Sequence, residues 1–407
     1  MYSGWSALDV EAVRRDFPIL RGGIIYLDNA ASSLTPEPVL AKMLEYYREY
    51  RANVERGVHR LSQKASVEYE EAHRKVARFI GARSWRNIIF TRNTSEGINL
   101  VARGIEWKRG DKIVTTLLEH HSNFIVWLRA ARRFGLEVEV VKPNREGLFN
   151  LSDFEKAIDD RTRLVAVTHV SNVLGVIVPV EEIAEIAHEH GSLILVDGAQ
   201  SVPHMKTDVE AMGCDFLAFS GHKMLGPTGI GVLYINESAL EWLEPLCIGG
   251  GTIRDVDLHQ YELGESPERF EAGTPAIAEA IGLGAAVEYL EKLGMKDVEE
   301  HDREISWAIR EGLMELEKVE VYGPKDPEHG MSVVSFNVEG LNPHEVALAL
   351  DASANIMVRS GHHCALPLVK HLLNCPQGTV RASTYIYNTL DEAERLVETV
   401  KEIVKGI

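Results

Sequence analysis

The hydrophobic and polar positions between about Tyr26 and Tyr234 follow a repeating pattern. Short apolar runs rich in β-branched residues alternate with amphipathic stretches such as 179–190, which contains VEEIAEIAHEH. Continuously apolar strands that alternate with helices are typical of a mostly parallel sheet covered by helices on both faces. The pattern therefore predicts an α/β fold. The predicted strands are 87–90, 112–115, 138–141, 164–168, 193–196 and 216–219.

The pattern changes after about Gly284. Two long charged amphipathic stretches, 297–316 and 390–404, flank the strand-like run 332–338, which predicts a second, smaller α+β domain. Segment 248–273 is rich in glycine and polar residues, so we expect a long excursion or an interface there. We therefore predict an N-terminal segment (1–25) packed on the small domain, a large domain (26–284) and a small C-terminal domain (285–407).

Composition narrows the range of partners. The 407 residues carry a formal net charge of −18, which disfavours nucleic acid and anionic membranes as partners. The first twenty residues lack the apolar core of a secretory signal, and no apolar run approaches the length of a membrane span. Four cysteines in so long a chain do not form a disulfide scaffold. We expect a cytoplasmic protein.

Polar residues follow directly after five of the predicted strands. Because ligands bind at the carboxyl ends of strands in open α/β sheets, these residues are candidates for one common pocket. They are Thr94 and Ser95; Glu119, His120 and His121; His169, Ser171 and Asn172; Asp197 and Gln200; and Ser220, His222 and Lys223.

Taken singly, each of these residues has an ordinary structural interpretation. Thr94 and Ser95 are typical helix caps, and His120 is typical of a hydrogen-bonded core histidine. Asp197 suits a turn, and Lys223 suits a surface lysine with a buried stem. Taken together, a phosphate cup, an acid, a histidine able to stack and a lysine are the groups that hold pyridoxal phosphate. Burial of Lys223 would favour its neutral, nucleophilic form.

The motifs around these residues resemble those of the class V aminotransferase family, and within it the group II (Suf-type) cysteine desulfurases. The resemblance extends from about Tyr26 to the C-terminus, with the motifs in the family's order. It is carried by YLDNAASS, LEHHSN, THVSNVLG, VDGAQS, SGHKMLGPTGIGVLY, RFEAGTP and RSGHHCALP. It implies a fold-type I pyridoxal-phosphate transferase.

The resemblance also implies roles for individual residues. Lys223, His120 and Cys364 would be catalytic, with Cys364 accepting sulfur from L-cysteine as a persulfide. Arg381, Arg359 and His59 would bind the substrate. The chain would form a homodimer, in which the neighbouring subunit supplies Thr274 to the phosphate cup. The remaining cofactor contacts would come from Lys223, Asp197, Gln200, Asn172, Thr94, Ser95, Ser220, His222 and His120.

Three alternatives remain open from the sequence. Selenocysteine lyases share the fold and many of these residues. A zinc site is a second alternative, although its spacing matches no standard zinc finger. A catalytically silent scaffold is the third. The zinc alternative would use His362, His363, Cys364, His371 and Cys375. If the chain is a desulfurase, its partner is a sulfur acceptor or an iron–sulfur scaffold protein, and the resemblance does not separate cluster assembly from a thiolation pathway.

Overall fold

The computed structural model describes residues 8–406 of the chain. Seven of the fifteen strands within this range agree closely with the apolar runs predicted from the sequence. The fifteen strands are β1 (Ile25–Tyr26), β2 (Ile88–Thr91), β3 (Lys112–Thr116), β4 (Glu137–Val141), β5 (Thr162–Thr168), β6 (Leu193–Asp197), β7 (Phe216–Ser220), β8 (Gly231–Ile235), β9 (Ile253–Val256), β10 (Tyr261–Leu263), β11 (Val319–Tyr322), β12 (Val333–Val338), β13 (Ile356–Met357), β14 (Arg359–Gly361) and β15 (Thr379–Ser383).

The helices of the described range begin at polar caps in many cases. Helices α11 and α13 each begin with a reciprocal capping box, in which Asn342 pairs with Glu345 and Thr389 pairs with Glu392. The α-helices are α1 (Val10–Arg15), α2 (Glu37–Glu45), α3 (Arg60–Phe79), α4 (Thr94–Gly104), α5 (Ile125–Phe134), α6 (Leu151–Ala157), α7 (Val180–Glu189), α8 (Glu237–Leu240), α9 (Ile277–Leu293), α10 (Met295–Met314), α11 (Pro343–Ala354), α12 (Leu366–His371) and α13 (Leu390–Lys405).

The main sheet has seven strands in the order β2-β8-β7-β6-β5-β3-β4. Strands β4, β3, β5, β6 and β7 are parallel to one another, whereas β8 runs antiparallel to both β2 and β7. Successive side chains of β5 enter different cores, with Val165 and Val167 on one face and Leu164 and Ala166 on the other. The predicted α/β fold with a mostly parallel, doubly covered sheet is confirmed.

A second, antiparallel sheet lies in the C-terminal part, in the order β11-β12-β15-β14. Its core combines residues of β12 and β15 with helices α10, α11 and α13. The predicted helices 297–316 and 390–404 correspond to α10 and α13, and the strand-like run 332–338 to β12. Segment 248–273 contains the short hairpin β9–β10.

The predicted domain limits stay predictions. Residue 284 lies inside α9, whose apolar side chains pack in the core of the large sheet. The N-terminal segment contacts the C-terminal part, because Arg14 binds Glu392 at 2.8 Å and Phe17 packs on Tyr387 with ring centroids 4.7 Å apart. Residues 1–7 lie outside the described range. Among the described helices, none has the length and apolar character to cross a bilayer.

Candidate active site

The carboxyl ends of the central strands meet at a cleft of about 210 Å³. The structure brings together most of the residues that the sequence predicted for one pocket. The other residues of the lining are Ala30, Ala31, Asn93, Ser122, Thr168 and Ala199. The predicted residues that line the cleft are Thr94, Ser95, His120, Asn172, Asp197, Gln200, Ser220, His222, Lys223, Arg359 and Arg381.

Lys223 enters this cleft from the 3-10 turn Gly221–Lys223, which follows directly after β7. Desolvation lowers the pKa of its amine to about 8, and the nearby Asp197 carboxylate opposes the shift. Near neutral pH, a substantial minority of such an amine is uncharged. The structure therefore places the amine of Lys223 in the cleft where the sequence predicted it, and its role stays a prediction.

Asp197 ends strand β6 and is almost fully buried. Burial raises the pKa of its carboxyl group, while the Ala199 amide, which donates to Oδ1 at 3.0 Å, and the Lys223 charge oppose the increase. A buried carboxylate with a single backbone donor retains acceptor capacity for a further N–H group. Asp197 can therefore hold a protonated ring nitrogen.

Hydroxyl groups and backbone amides form a cup at the start of α4. The Ser220 Oγ accepts from the Thr94 amide at 2.9 Å and lies 2.6 Å from the Thr94 Oγ1, while the Ser95 Oγ lies 2.5 Å from the Ser122 Oγ. His222 is beside the cup, with Nδ1 3.3 Å from the Ser32 Oγ. The first turn of a helix offers free N–H groups and a partial positive charge, so this cup suits a phosphate.

The His120 ring is held in a neutral form. Its Nδ1 accepts from the Ser122 amide at 3.1 Å. Burial, followed by the charge of Lys223, lowers the pKa of His120 to about 3. The ring therefore presents an uncharged aromatic face to the cleft over the whole physiological range.

Glu119, the residue before His120, anchors this turn in the protein interior. Its carboxylate accepts from the Thr116 hydroxyl at 2.6 Å, the Asn123 amide at 2.6 Å and the Thr168 backbone N–H at 3.0 Å. Burial raises the pKa of Glu119 to about 8. From the sequence, Glu119 lies at a strand end without a predicted role. Its signal is an acid directly after the apolar pair Leu117-Leu118.

Gln200 and Asn172 each donate one hydrogen bond from the side-chain amide, but to different parts of the chain. Gln200 donates through Nε2 to the Ala30 carbonyl at 2.8 Å, and its buried Oε1 has no partner among the described residues. Asn172 donates through Nδ2 to the His363 carbonyl at 2.8 Å. The Asn172 side chain therefore lines the cleft but is already bound to the loop that precedes Cys364.

Two arginines enter the cleft from the second sheet, where Arg359 of β14 is paired with Arg381 of β15. Arg381 is fully buried and binds the Asp28 Oδ1 at 2.9 Å and the Asn172 carbonyl at 3.0 Å. Burial lowers the pKa of its guanidinium to about 10, which leaves it charged at neutral pH. The two cations give the cleft a binding site for a carboxylate.

Cys364 lies beside these arginines, with Sγ 3.6 Å from the Arg359 Nη2. His363 and Cys364 have positive φ angles of 51° and 56°, a conformation that costs side-chain-bearing residues of order 1–2 kcal/mol each. Gly378 packs closely against Gly361 (φ 110°), because a Cβ at residue 378 would lie 2.4 Å from the Gly361 carbonyl carbon. The cysteine therefore sits on a strained, tightly supported loop.

His121 connects this loop to the large domain. Its backbone N–H donates to the Cys364 carbonyl at 2.6 Å, and its Nε2 accepts from the Leu366 N–H at 3.0 Å. Burial and the nearby His362 lower the pKa of His121, which favours the neutral ring that accepts this bond. Sequence reasoning noted His121 at a strand end without assigning it a role, because its partners lie about 245 residues further along the chain.

Two predicted site residues lie away from this cleft within the single chain. His59 caps α3, with Nδ1 accepting from the Ser62 amide at 3.3 Å, and Thr274 is exposed in the loop before α9. Their roles stay predictions.

The side chains of the zinc alternative have other partners. The His362 Nε2 lies 3.0 Å from the Pro376 carbonyl, and the Cys375 Sγ lies 3.2 Å from the Tyr322 hydroxyl. Within residues 8–406, no group of three or more histidine, cysteine or acidic side chains has the arrangement of a metal site.

Comparisons with known proteins agree with this geometry. The chain is 53% identical to a protein of Pyrococcus abyssi named "Probable cysteine desulfurase", with 98% of each chain covered, and 43% identical to a cysteine desulfurase of Haloferax volcanii over 97% of this chain and 96% of that one. The apo structure of a cysteine desulfurase from Thermococcus onnurineus superposes with a TM-score of 0.95 at 53% identity and full coverage of both chains. The family model for class V aminotransferases matches residues 25–396. The chain therefore belongs to the class V aminotransferase family.

Proposed function

We propose that the chain is a cysteine desulfurase, which converts L-cysteine to L-alanine and retains the sulfur as a persulfide on Cys364. Its cofactor is pyridoxal 5'-phosphate. The unpartnered, buried Oε1 of Gln200 and the hydroxyl cup at the start of α4 are features that such a group would complete. The cofactor supplies an electron sink for chemistry at the substrate Cα.

The residues of the cleft would hold this cofactor in one orientation. Lys223 would attach it covalently, Asp197 would keep its ring nitrogen protonated, and His120 would cover the ring. Thr94, Ser95, Ser220 and His222 would surround its phosphate, and Gln200 and Asn172 would lie near the ring oxygen. These assignments rest on the shared cleft and on the pKa shifts of the three ring-side residues.

The substrate would be placed between the arginines and Lys223. Arg381 and Arg359 would bind its carboxylate, and the Lys223 amine would remove the Cα proton. The Cys364 thiolate would attack the substrate sulfur, forming an S–S bond as the Cβ–S bond breaks. The electron pair of the broken bond stays with the carbon fragment, which takes up a proton and leaves as alanine. The Arg359 Nη2 lies 3.6 Å from the Cys364 Sγ, beside the attacking sulfur.

The observation that carries this proposal is the position of Cys364 next to Arg359, a residue that lines the Lys223 cleft. We expect Lys223→Ala to abolish both the cofactor absorbance and alanine release. We expect Cys364→Ser to retain the absorbance and lose persulfide formation from cysteine. The amounts of alanine, persulfide and sulfide formed from cysteine are measured with and without a reductant. Persulfide at another residue in Cys364→Ser would overturn the assignment.

We also propose that the enzyme is a homodimer, in which Thr274 and His59 contribute to the neighbouring subunit's site. Exposed apolar side chains on α2, α3 and the segments beside them support this, including Leu44 (46% exposed), Tyr47 (50%), Val58 (90%) and Val67 (69%). Mixing Lys223→Ala with Thr274→Ala subunits should restore activity in hybrid dimers. Sedimentation as a monomer would contradict the proposal.

The destination of the sulfur completes the proposal. We propose that the persulfide passes to a protein acceptor for iron–sulfur cluster assembly in the cytoplasm. A reducing compartment fits the four cysteines, all of which are free thiols in the structure. Sulfur appearing on tRNA but not in clusters, in cells that depend on this enzyme, would favour the thiolation pathway instead.

A further inference from the structure

Helix α5 presents one exposed face that combines positive charge with apolar side chains. The face consists of Ile125, Leu128, Arg129, Arg132 and Arg133, which recur at the spacing of a single helical stripe. Ile125 and Leu128 are 58% and 37% exposed. The five residues line a shallow groove of about 490 Å³. We call these five residues the arginine face.

The charge of this face is not balanced within the chain. Among the described residues, no acid lines the groove or the neighbouring pocket that contains Arg103 of helix α4, and the Arg133 guanidinium lies over the Phe134 ring, 5.3 Å from its centroid. Acids outnumber bases by 61 to 43 in the whole chain, so an acid-free patch of four arginines is unusual for this surface.

A role in helix stability does not account for the arginine face. Cations in the last turn interact favourably with the helix dipole, which explains Arg132 and Arg133. The same effect explains Arg103 in the last turn of α4. It does not explain Arg129 in the middle of α5, or the two exposed large apolar side chains in line with the arginines. Arginine beside exposed apolar surface is instead typical of protein–protein contacts.

The position of the face relates it to the sulfur. Helix α5 begins four residues after His121, whose backbone N–H binds the Cys364 carbonyl at 2.6 Å. The helix has ten residues and therefore extends about 15 Å from that end. The first turn of α5 therefore lies next to the segment that contacts the Cys364 loop, and the arginines follow along the same helix.

We propose that the arginine face is the docking surface for the sulfur-accepting protein, and that this acceptor carries acidic residues around its receiving thiol. The inference rests on the proposed desulfurase function. In the transfer, the acceptor thiolate attacks the terminal sulfur of the Cys364 persulfide. A new S–S bond forms on the acceptor, and Cys364 leaves as a thiolate, so no external oxidant or reductant is needed.

Two short thiol peptides test the charge preference. Acetyl-Glu-Glu-Cys-Glu-Glu-amide and its lysine counterpart would serve as acceptors for the preformed persulfide on the cofactor-loaded enzyme. Each rate is divided by the rate of the same peptide with a small disulfide, which removes differences in thiol reactivity. Because the chain as a whole is strongly acidic, its net charge alone predicts that the lysine peptide reacts faster. The arginine face predicts that the glutamate peptide reacts faster.

A charge-reversed variant locates the effect. Arg129→Glu/Arg132→Glu/Arg133→Glu should reduce the normalised rate with the glutamate peptide about tenfold, and raising the salt concentration should reduce the wild-type rate in the same direction. The matched control is Arg21→Glu/Lys401→Glu/Lys405→Glu, which makes the same change in net charge at exposed positions elsewhere and should leave the rate unchanged. Replacing the three arginines by lysine should preserve most of the preference.

The outcomes separate this inference from the proposed function. Alanine release with cysteine and a reductant, and persulfide yield with cysteine alone, should be the same in the wild type and both variants, and their absence in the wild type would reject the proposed function. A normal persulfide yield with a faster lysine peptide, or with no effect of the triple reversal, would overturn the docking surface. A changed oligomeric state of the triple-reversed variant would also overturn the docking surface, because it would assign the face to a subunit contact. A loss of binding to bulk tRNA in that variant would overturn it too, because it would assign the face to nucleic acid.

Discussion

The two sides of the proposed active site are constructed differently. On the cofactor side, regular elements position the functional groups. Asp197 ends strand β6, Lys223 lies in the turn directly after β7, and the cup lies at the start of α4. On the sulfur side, Cys364 is on a loop with two consecutive left-handed residues, held by hydrogen bonds to His121 and Asn172. A site that must keep a bound group in one pose needs rigid elements, whereas a thiol that must hand its sulfur on needs a support that can release it.

The largest expected effect comes from the cofactor side. Asp197→Asn removes the negative charge that we propose keeps the ring nitrogen protonated, so we expect turnover to fall by about 10³-fold. The alkylation rate of Cys364 by iodoacetamide should be unchanged, because that loop has no hydrogen bond to Asp197. Parallel measurement of both rates tests whether the two sides are independent. A similar fall in both would show that they are not.

Glu119 tests how rigid the support of the cofactor side is. Glu119→Ala leaves the Thr168 amide, the Asn123 side chain and the Thr116 hydroxyl without their buried acceptor. We expect the free energy of unfolding to fall by about 3 kcal/mol. Glu119→Gln retains one acceptor oxygen and should lose less. Denaturant titration measures both variants, and equal stability of Glu119→Ala and wild type would contradict the assignment.

The amine of Lys223 gives a pH-dependent test. Because desolvation lowers its pKa to about 8, the uncharged fraction rises about tenfold from pH 7 to pH 9 and then levels off. The rate of pyridoxal phosphate attachment to cofactor-free protein should follow this curve, as measured by absorbance. For a lysine with an ordinary pKa of 10.5, the rate would still be rising steeply above pH 9.

The smallest expected effect comes from the support of the sulfur side. His121→Ala removes the acceptor for the Leu366 N–H, and the loss of about 1 kcal/mol should increase the alkylation rate of Cys364 about fivefold. His121→Gln keeps an acceptor and should behave like the wild type. Acid should loosen the wild-type loop, since a protonated ring cannot accept, and the lowered pKa of His121 places this change below about pH 6.5. Identical rates in His121→Ala and wild type would show that the loop does not depend on this bond.

The same division explains what the sequence could predict. Residues at the carboxyl ends of parallel strands share one edge of a sheet, so Thr94, His120, Asp197 and Lys223 could be assigned to one cleft from local pattern alone. Helices α10 and α13 were predicted within two residues at each end, because their amphipathic periodicity is strong.

The contacts that depend on distant segments could not be predicted. The bonds of His121 to Cys364 and Leu366, and that of Asn172 to His363, join residues separated by about 190 residues or more. The boundary predicted at residue 284 stays a prediction. It falls inside helix α9, which is apolar around most of its surface, so the sequence there gives no signal of where one domain ends.

Asn172 has a position whose consequence goes beyond lining the cleft. Its carbonyl oxygen accepts from Arg381 at 3.0 Å, and its side-chain amide donates to the carbonyl of His363 at 2.8 Å. One residue thus stands between the guanidinium that would recognise the substrate's carboxylate and the backbone just before the reactive thiol. A movement of Arg381 on binding an amino acid would therefore pass through Asn172 to the backbone before Cys364, before any bond to sulfur has changed.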